Sequence, residues 1–271
     1  MKRFLVDGWR QLSAPPCRLC ATNAAGPLCM ACVESLPWND CACERCAQPL
    51  PTMQRLCVRC QRRAPPYDHA ESSFRLEAPI QQMIYGLKSH ARLDNAELLA
   101  RLMTRARPSF VEDHSLLVPV PLFRHRLRRR GYNQALELAR GLAKRLQLRC
   151  DGLAVTQVRA SRDLTRLNRP ARRREVRGAY AVDPARVRGQ ALVLVDDVMT
   201  TGATVESISR LCRQAGAASI SVWTAARSQG CGLCEVQKTA PKVTASRPST
   251  TASFSISAVE VIEFTRYAKT H

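Results

Sequence analysis

Two adjacent carboxylates, Asp196 and Asp197, stand just ahead of a run of small hydroxylated residues, Thr200, Thr201, Gly202, Ala203 and Thr204. The threonine hydroxyls, with the backbone N–H groups of a helix beginning there, would form a cradle for an anion of phosphate size. Gly202 allows a tight turn because it has no Cβ. The carboxylates cannot hold the same anion, since like charges repel. They suit sugar hydroxyls or a hard cation such as Mg²⁺. A phosphate cradle beside a pair that takes a vicinal diol describes a site for a ribose 5-phosphate.

A second chemistry is carried by cysteine. Cys17-x-x-Cys20 and Cys29-x-x-Cys32 form one set, and Cys43-x-x-Cys46 and Cys57-x-x-Cys60 form another. Two thiolates on one tight turn grip a metal, and a second such turn completes a tetrahedron. The two sets have similar internal spacing, so this stretch reads as a duplicated zinc ribbon with structural, coordinatively closed Zn²⁺. Four thiolates suit an iron–sulfur centre as well. Cys41 is a spare that could compete with Cys43. The large apolar residues of the stretch are few (Leu28, Leu36, Trp38, Leu50, Leu56), so it is expected to need its metal to fold.

A third chemistry is carried by arginine. Arg124, Arg128, Arg129 and Arg130, followed by Gly131, lie in a stretch expected as a basic loop, and Arg172 and Arg173 lie in a second basic segment, Arg159–Arg177. Guanidinium forks match phosphate oxygens bidentately, so both are candidates for pyrophosphate or nucleic-acid contact. Lys88 and Arg92 read as solvated face residues, with phosphate contact as the alternative.

The elements that must place these groups follow from pattern. Leu192–Val195 is a short apolar run suited to a parallel strand covered on both faces. It delivers the carboxylates at its C-terminal end, where ligands bind in such sheets. Helical spacing resumes at Val205 and stops at Gly216. Phe74–Leu76, Leu116–Pro121 and Ser219–Ala226 are further strand candidates. Helices are expected over Ile80–Leu87 with Pro79 at its first position, over Asp94–Arg105, and from an Asn133 cap to Gln147. Ala64-Pro65-Pro66 marks a break.

Composition narrows the class. The chain has 271 residues and a net charge of +20, which favours polyanionic ligands, although solvated surface arginine accounts for some of such an excess. No apolar run reaches the roughly 20 residues of a membrane span. Met1–Pro16 carries no signal-peptide pattern. The protein is therefore expected to be cytoplasmic. Thirteen cysteines in a reducing compartment point to metal rather than to disulfides.

Val193–Thr204 resembles the PRPP-binding signature of type I phosphoribosyltransferases. The resemblance implies that the acidic pair holds the ribose 2- and 3-hydroxyls and that the Thr/Gly loop holds the 5-phosphate. Val-Pro-Val-Pro at Val118–Pro121, then Arg-Arg-Arg-Gly-Tyr-Asn-Gln at Arg128–Gln134, narrows this to the ComF family of competence-associated proteins and its GntX-type relatives. Pro37–Asn39 and Cys43–Leu50 agree, and the resemblance runs from about Ala14 to Arg227. It implies an α/β fold, a phosphoribosyltransferase-like parallel sheet flanked by helices, with a small Cys-rich zinc-ribbon head. It also implies a mobile lid in the second basic segment, where this chain has Thr165 and Glu175 in place of the family's usual Gln and Asn. The expected organisation is a zinc-ribbon domain over residues 1–66, a transferase-like domain over 67–227 and a Ser/Thr-rich tail over 228–271, read as disordered. Cys231 and Cys234 in that tail lack partner cysteines. The implied functions are phosphoribosyl transfer from Mg-PRPP with loss of pyrophosphate, or a non-catalytic, PRPP-regulated role holding single-stranded DNA for the DNA-uptake machinery, or a GntX-like housekeeping role. No residue of the motif presents itself as a general base.

Overall fold

The computed structural model describes residues 15–52, 54–159 and 178–228. Arg172, Arg173, Thr165, Glu175 and the tail cysteines lie outside the described residues. In chain order the elements are α1 (Met30–Glu34), α2 (Val58–Arg62), β1 (His69–Arg75), α3 (Ile80–Ser89), α4 (Leu93–Met103), β2 (Leu116–Pro119), α5 (Arg124–Arg130) and α6 (Gln134–Leu146). There follow β3 (Arg149–Cys150), β4 (Val155–Gln157), β5 (Tyr180–Val182), α7 (Pro184–Val187), β6 (Ala191–Met199), α8 (Ala203–Gln214) and β7 (Ser219–Arg227).

Five strands form one sheet in the order β1-β7-β6-β2-β3, and every neighbouring pair is parallel. A parallel sheet needs a cover on each face, and the apolar run of β6 shows it. Leu192 and Leu194 point into a cluster with Val205, Ile208 and Cys212 of α8. Val193 and Val195 point the other way, into a cluster with Ile80, Leu99, Leu138 and Leu142 from α3, α4 and α6. This alternation, with both sets fully buried, is what a central strand requires.

Three elements differ from the sequence pattern. β1 begins at His69, ahead of the apolar Phe74, because its polar residues are satisfied inside: Ser72 Oγ lies 2.5 Å from Thr224 Oγ1, and Trp223 Nε1 donates to Ser73 Oγ at 3.3 Å. The stretch Arg124–Arg130, expected as a loop, is the helix α5. It holds no helix breaker, arginine is a good helix former, and Gly131 at φ 85° ends it in the left-handed conformation. α3 starts at Ile80, so Pro79 precedes the first helical turn rather than opening it. The sequence pattern carries no expectation for β3, β4, β5 or α7; Asn133 caps α6 as expected, its Oδ1 accepting from Ala135 N at 3.1 Å.

The cysteine-rich head packs on the sheet's β1 edge. Trp38 bridges Phe74 in antiparallel sense, with ring centroids 4.5 Å apart. Asn39 N donates to Ser73 O at 3.1 Å and Arg75 N to Pro37 O at 2.8 Å, so the head pairs an edge that would otherwise invite another strand. Val33 and Leu36 of the head are buried in the same cluster as Phe74 and α4. No helix among the described residues is long and apolar enough to cross a membrane.

Candidate functional site

The site lies at the C-terminal edge of the sheet, where β6 turns into α8. Residues 198–205, together with Asp196, line a small cavity of about 30 Å³. Gly202, at φ 78°, immediately precedes the helix. Had it carried a Cβ, Glu206, Met199 and Tyr67 would meet it at 3.7–3.9 Å, so the glycine answers the backbone angle more than crowding. The carbonyls of the turn are tied back. Arg227 Nη1 donates to Met199 O at 2.7 Å and also to Thr200 O, Ser228 N donates to Met199 O at 3.1 Å, and Arg59 Nη1 donates to Thr201 O at 3.3 Å. In the first turn of α8, Ala203 N donates to Thr201 Oγ1 at 3.4 Å and Glu206 N to Gly202 O at 2.9 Å; the first N–H groups of a helix have no acceptor in a preceding turn. The turn thus holds Thr200, Thr201, Gly202, Ala203 and Thr204 around the cavity with its carbonyls engaged elsewhere.

The acidic pair is split by the strand. Asp196 lines the cavity of the turn, and its Oδ1 accepts from Asp197 N at 2.9 Å. Asp197, 3% exposed, points to the opposite face, as neighbours in a strand must. There Lys88 Nζ stands 3.0 Å from Asp197 Oδ2. The ammonium is out of line for a hydrogen bond, so that buried oxygen is paired by charge alone. Burial, and then the charge of Asp197, push the Asp196 carboxyl up to about 8.

Lys88 opens a second, larger cavity of about 380 Å³, shared with Ser89, His90, Ala91, Arg129, Arg130 and Tyr132. Ala91 takes the left-handed φ of 50°, uncommon for a residue with a Cβ. Arg130 Nη1 donates to Gln134 Oε1 at 2.5 Å, and the Tyr132 hydroxyl donates to Leu87 O, which fixes the C-terminal end of α5 against α3. Of the arginines singled out from sequence, Arg129 and Arg130 reach this cavity. Arg124 and Arg128 do not line it and stand exposed on α5, and Gly131 is exposed behind them.

Two residues here go beyond the leading sequence reading. Lys88, read as a solvated face residue with phosphate contact as the alternative, joins Asp197 to the basic cavity. Its spacing on α3, one position past the buried Leu87, carries no signal of that; only the fold brings it to β6. Arg92, by contrast, pairs with Asp94 on the surface. Tyr180 of β5 is 8% exposed, and burial, opposed by a hydrogen bond with the Thr204 side chain, pushes its hydroxyl up to about 12. It buttresses the turn from the side of the small antiparallel pair β4–β5.

The cysteines assemble as their spacing implies. The Sγ atoms of Cys17, Cys20, Cys29 and Cys32 lie within 4.8 Å of one another, as do those of Cys43, Cys46, Cys57 and Cys60. Cys20 and Cys29 Sγ are 3.6 Å apart, and Cys46 and Cys57 Sγ 3.7 Å. A tetrahedron of thiolates about 2.3 Å from a central zinc has edges of about 3.8 Å, so both quartets fit such an ion. Cys17 is pulled down to about 6 by the backbone N–H groups of Cys20 and Cys29, which favours the thiolate that a metal needs. Hydrogen bonding with the Cys46 and Cys60 thiols holds Cys43 far below the usual thiol range. Cys41 lies outside the quartet and donates to Thr52 O at 3.2 Å.

Residues 132–256 match the phosphoribosyl transferase domain family. The DNA utilization protein YhgH of Escherichia coli K12 is 30% identical over 217 residues, which cover 78% of this chain and 95% of that protein. Competence protein F of Haemophilus influenzae is 33% identical over 157 residues, 55% of this chain and 69% of that protein. Among solved structures, the allosteric regulatory enzyme of purine biosynthesis is 21% identical with a TM-score of 0.34, covering 48% of this chain and 25% of that one. A hypoxanthine phosphoribosyltransferase from Staphylococcus aureus is 15% identical with a TM-score of 0.31, covering 49% of this chain and 62% of its own. The chain therefore spans about a quarter of the first structure's length and under two thirds of the second's.

Proposed function

The chain belongs to the ComF/YhgH family of phosphoribosyltransferase-domain proteins, and on that premise we propose that it binds Mg-PRPP across the C-terminal edge of its sheet. In this reading Thr200–Thr204 hold the 5-phosphate, Asp196 serves the ribose hydroxyls, and Asp197, on the other face of the strand, holds Lys88. The pyrophosphate end enters the cavity of Lys88, Arg129 and Arg130. One observation carries the reading. Asp196 shares a cavity with the threonine turn while its neighbour Asp197 meets Lys88 across the strand, so a single dipeptide joins a phosphate cradle to a basic cavity.

Bound Mg²⁺ would neutralise charge on the pyrophosphate. What the chain's own residues supply is position and charge. Transfer breaks the bond from the ribose anomeric carbon to the pyrophosphate oxygen, and the electron pair leaves with pyrophosphate. A nucleophile from the acceptor then bonds to that carbon. Cationic side chains facing the leaving group stabilise the charge that develops there. Zinc is the metal we assign to both cysteine quartets, as structural ions of a Cys-rich module over residues 1–66 attached to a transferase-like body over 67–227. The test of transfer is release of pyrophosphate from Mg-PRPP against a panel of nucleobases and amines. Release that depends on acceptor and fails in Lys88→Met supports catalysis; binding of PRPP with no release from any acceptor leaves a ligand-binding role.

A second reading rests on Arg124 and Arg128, which stand exposed on α5 away from the basic cavity. In this reading they meet the backbone of single-stranded DNA, and the names of the relatives support it. Each phosphate contact contributes about 0.7 to the slope of log affinity against log salt. Arg124→Ala with Arg128→Ala should therefore flatten that slope by about 1.4 for a short oligonucleotide. An unchanged slope removes this surface from any DNA contact.

A further inference from the structure

The second cysteine quartet is tied directly to the turn that the functional reading assigns to the 5-phosphate. Arg59 lies in α2, between the ligand positions Cys57 and Cys60, so its backbone is fixed wherever those thiolates are fixed. Its guanidinium pairs with the Glu206 carboxylate and donates to Thr201 O at 3.3 Å. Arg227 makes a second tie. It is 2% exposed, its Nε donates to Cys46 O at 3.1 Å, and its Nη1 donates to Met199 O and Thr200 O. One guanidinium thus spans the carbonyl of a cysteine in the quartet and two carbonyls of the turn.

The electrostatics give these ties a purpose. Glu206 is 2% exposed and sits in the first turn of α8, the same turn whose N–H groups would meet the phosphate. Its Oε1 lies 3.7 Å from where a Cβ on Gly202 would stand. A buried carboxylate there repels a bound phosphate unless it is neutralised. Among the described residues, Arg59, 22% exposed, is a more buried partner than Arg210, which stands 3.4 Å away and is 48% exposed. The first quartet makes no such connection among the described residues. Its Arg18 reaches instead to Asn95 and Asp94 on α4, at 2.6 and 2.8 Å.

We propose that Arg59 and Arg227 are positioning residues that make the Cys43/Cys46/Cys57/Cys60 quartet and the threonine turn one thermodynamic unit, so that metal in this quartet and a sugar phosphate in the turn stabilise each other while the first quartet stays uncoupled. The proposal rests on the reading of the turn as the 5-phosphate site. Linkage makes the effect reciprocal: whatever factor the metal adds to ligand affinity, the ligand adds to metal affinity.

The experiment uses the zinc-loaded full chain, Mg-PRPP as probe in isothermal titration, and a chromogenic chelator that competes for zinc at equilibrium. Coupling free energies of the usual size correspond to about fivefold or more. Saturating PRPP should therefore raise the affinity of one of two zinc equivalents at least about fivefold and leave the other unchanged. Arg59→Ala should weaken PRPP by a similar factor and abolish the protection, Arg59→Lys should recover part of both, and Arg18→Ala should change neither. Arg59→Ala combined with Glu206→Gln should regain affinity, since the carboxylate charge is then gone; this pair also keeps the test decisive if the single variant folds poorly. The proposal is overturned if Arg59→Ala binds PRPP like the parent, or if PRPP leaves both zinc affinities unchanged. A parent protein that carries both zinc ions and binds no PRPP overturns the functional reading, and the coupling with it, whereas a parent that binds PRPP without protection overturns the coupling alone.

Discussion

Replacing Asp196 by Asn should make the protein more stable at high pH while removing its ligand. The Asp196 carboxyl, whose ordinary value is 3.8, is pushed up to about 8 by burial and by Asp197. An acid whose folded value lies above its unfolded one binds its proton more tightly in the folded state. Its contribution to stability is fully present below pH 4 and is lost as pH rises towards 8. Each unit of such a rise corresponds to about 1.4 kcal/mol. At least about 1.4 kcal/mol should separate Asp196→Asn from the parent at pH 8, the variant being more stable. The gap should widen by up to about 1.4 kcal/mol per pH unit between pH 5.5 and 7.5. Urea unfolding at saturating zinc reads this, with the fully buried Trp223 as fluorescent reporter. Glu71, pushed up to about 7 by burial, bends both curves the same way and drops out of the difference. A difference that is flat with pH, or a variant less stable at pH 8, would refute the reasoning. Saturating Mg-PRPP should reverse the order, since only the parent gains from binding.

The remaining expectations concern backbone and metal. A Cβ on Gly141 of α6 would stand 2.8 Å from Ala100 Cβ of α4, so Gly141→Ala should cost about 1–3 kcal/mol, and Ala100→Gly in the same chain should recover part of it in urea unfolding. Gly202→Ala forces a φ of 78° on a residue with a Cβ, at about 1–2 kcal/mol. A circular-dichroism melt should show that loss, and a PRPP titration a fall of about tenfold, the equivalent of 1.4 kcal/mol. Metal analysis of freshly purified protein should return two zinc ions per chain; iron, or no metal, would refute the assignment of both quartets.

The parts of the site that sequence showed are those whose chemistry is local. The Cys-x-x-Cys pairs of the two quartets are local turns, and an apolar run ending in two acids declares a buried strand and its C-terminal end. The threonine turn follows from Gly202 and the helix behind it. What stayed hidden depends on distant packing. Lys88 reaches Asp197 only because α3 lies against the face of β6 that Asp197 points to. The polar half of β1 is a strand because Thr224 and Trp223 satisfy its serines. Arg124–Arg130 reads as a loop from its charge, yet arginine is a good helix former and the stretch holds no breaker before Gly131. Nothing local to Arg59 or Arg227 tells that they join the cysteine quartet to the turn across roughly half the chain.

The most direct test of the central claim is isothermal titration of Mg-PRPP into the zinc-loaded protein and into Asp196→Asn with Asp197→Asn, each shown by urea unfolding to be folded. Saturable one-site binding by the parent and none by the double variant is the predicted result. Undiminished affinity in the variant would contradict the claim that this corner of the sheet holds the ribose phosphate.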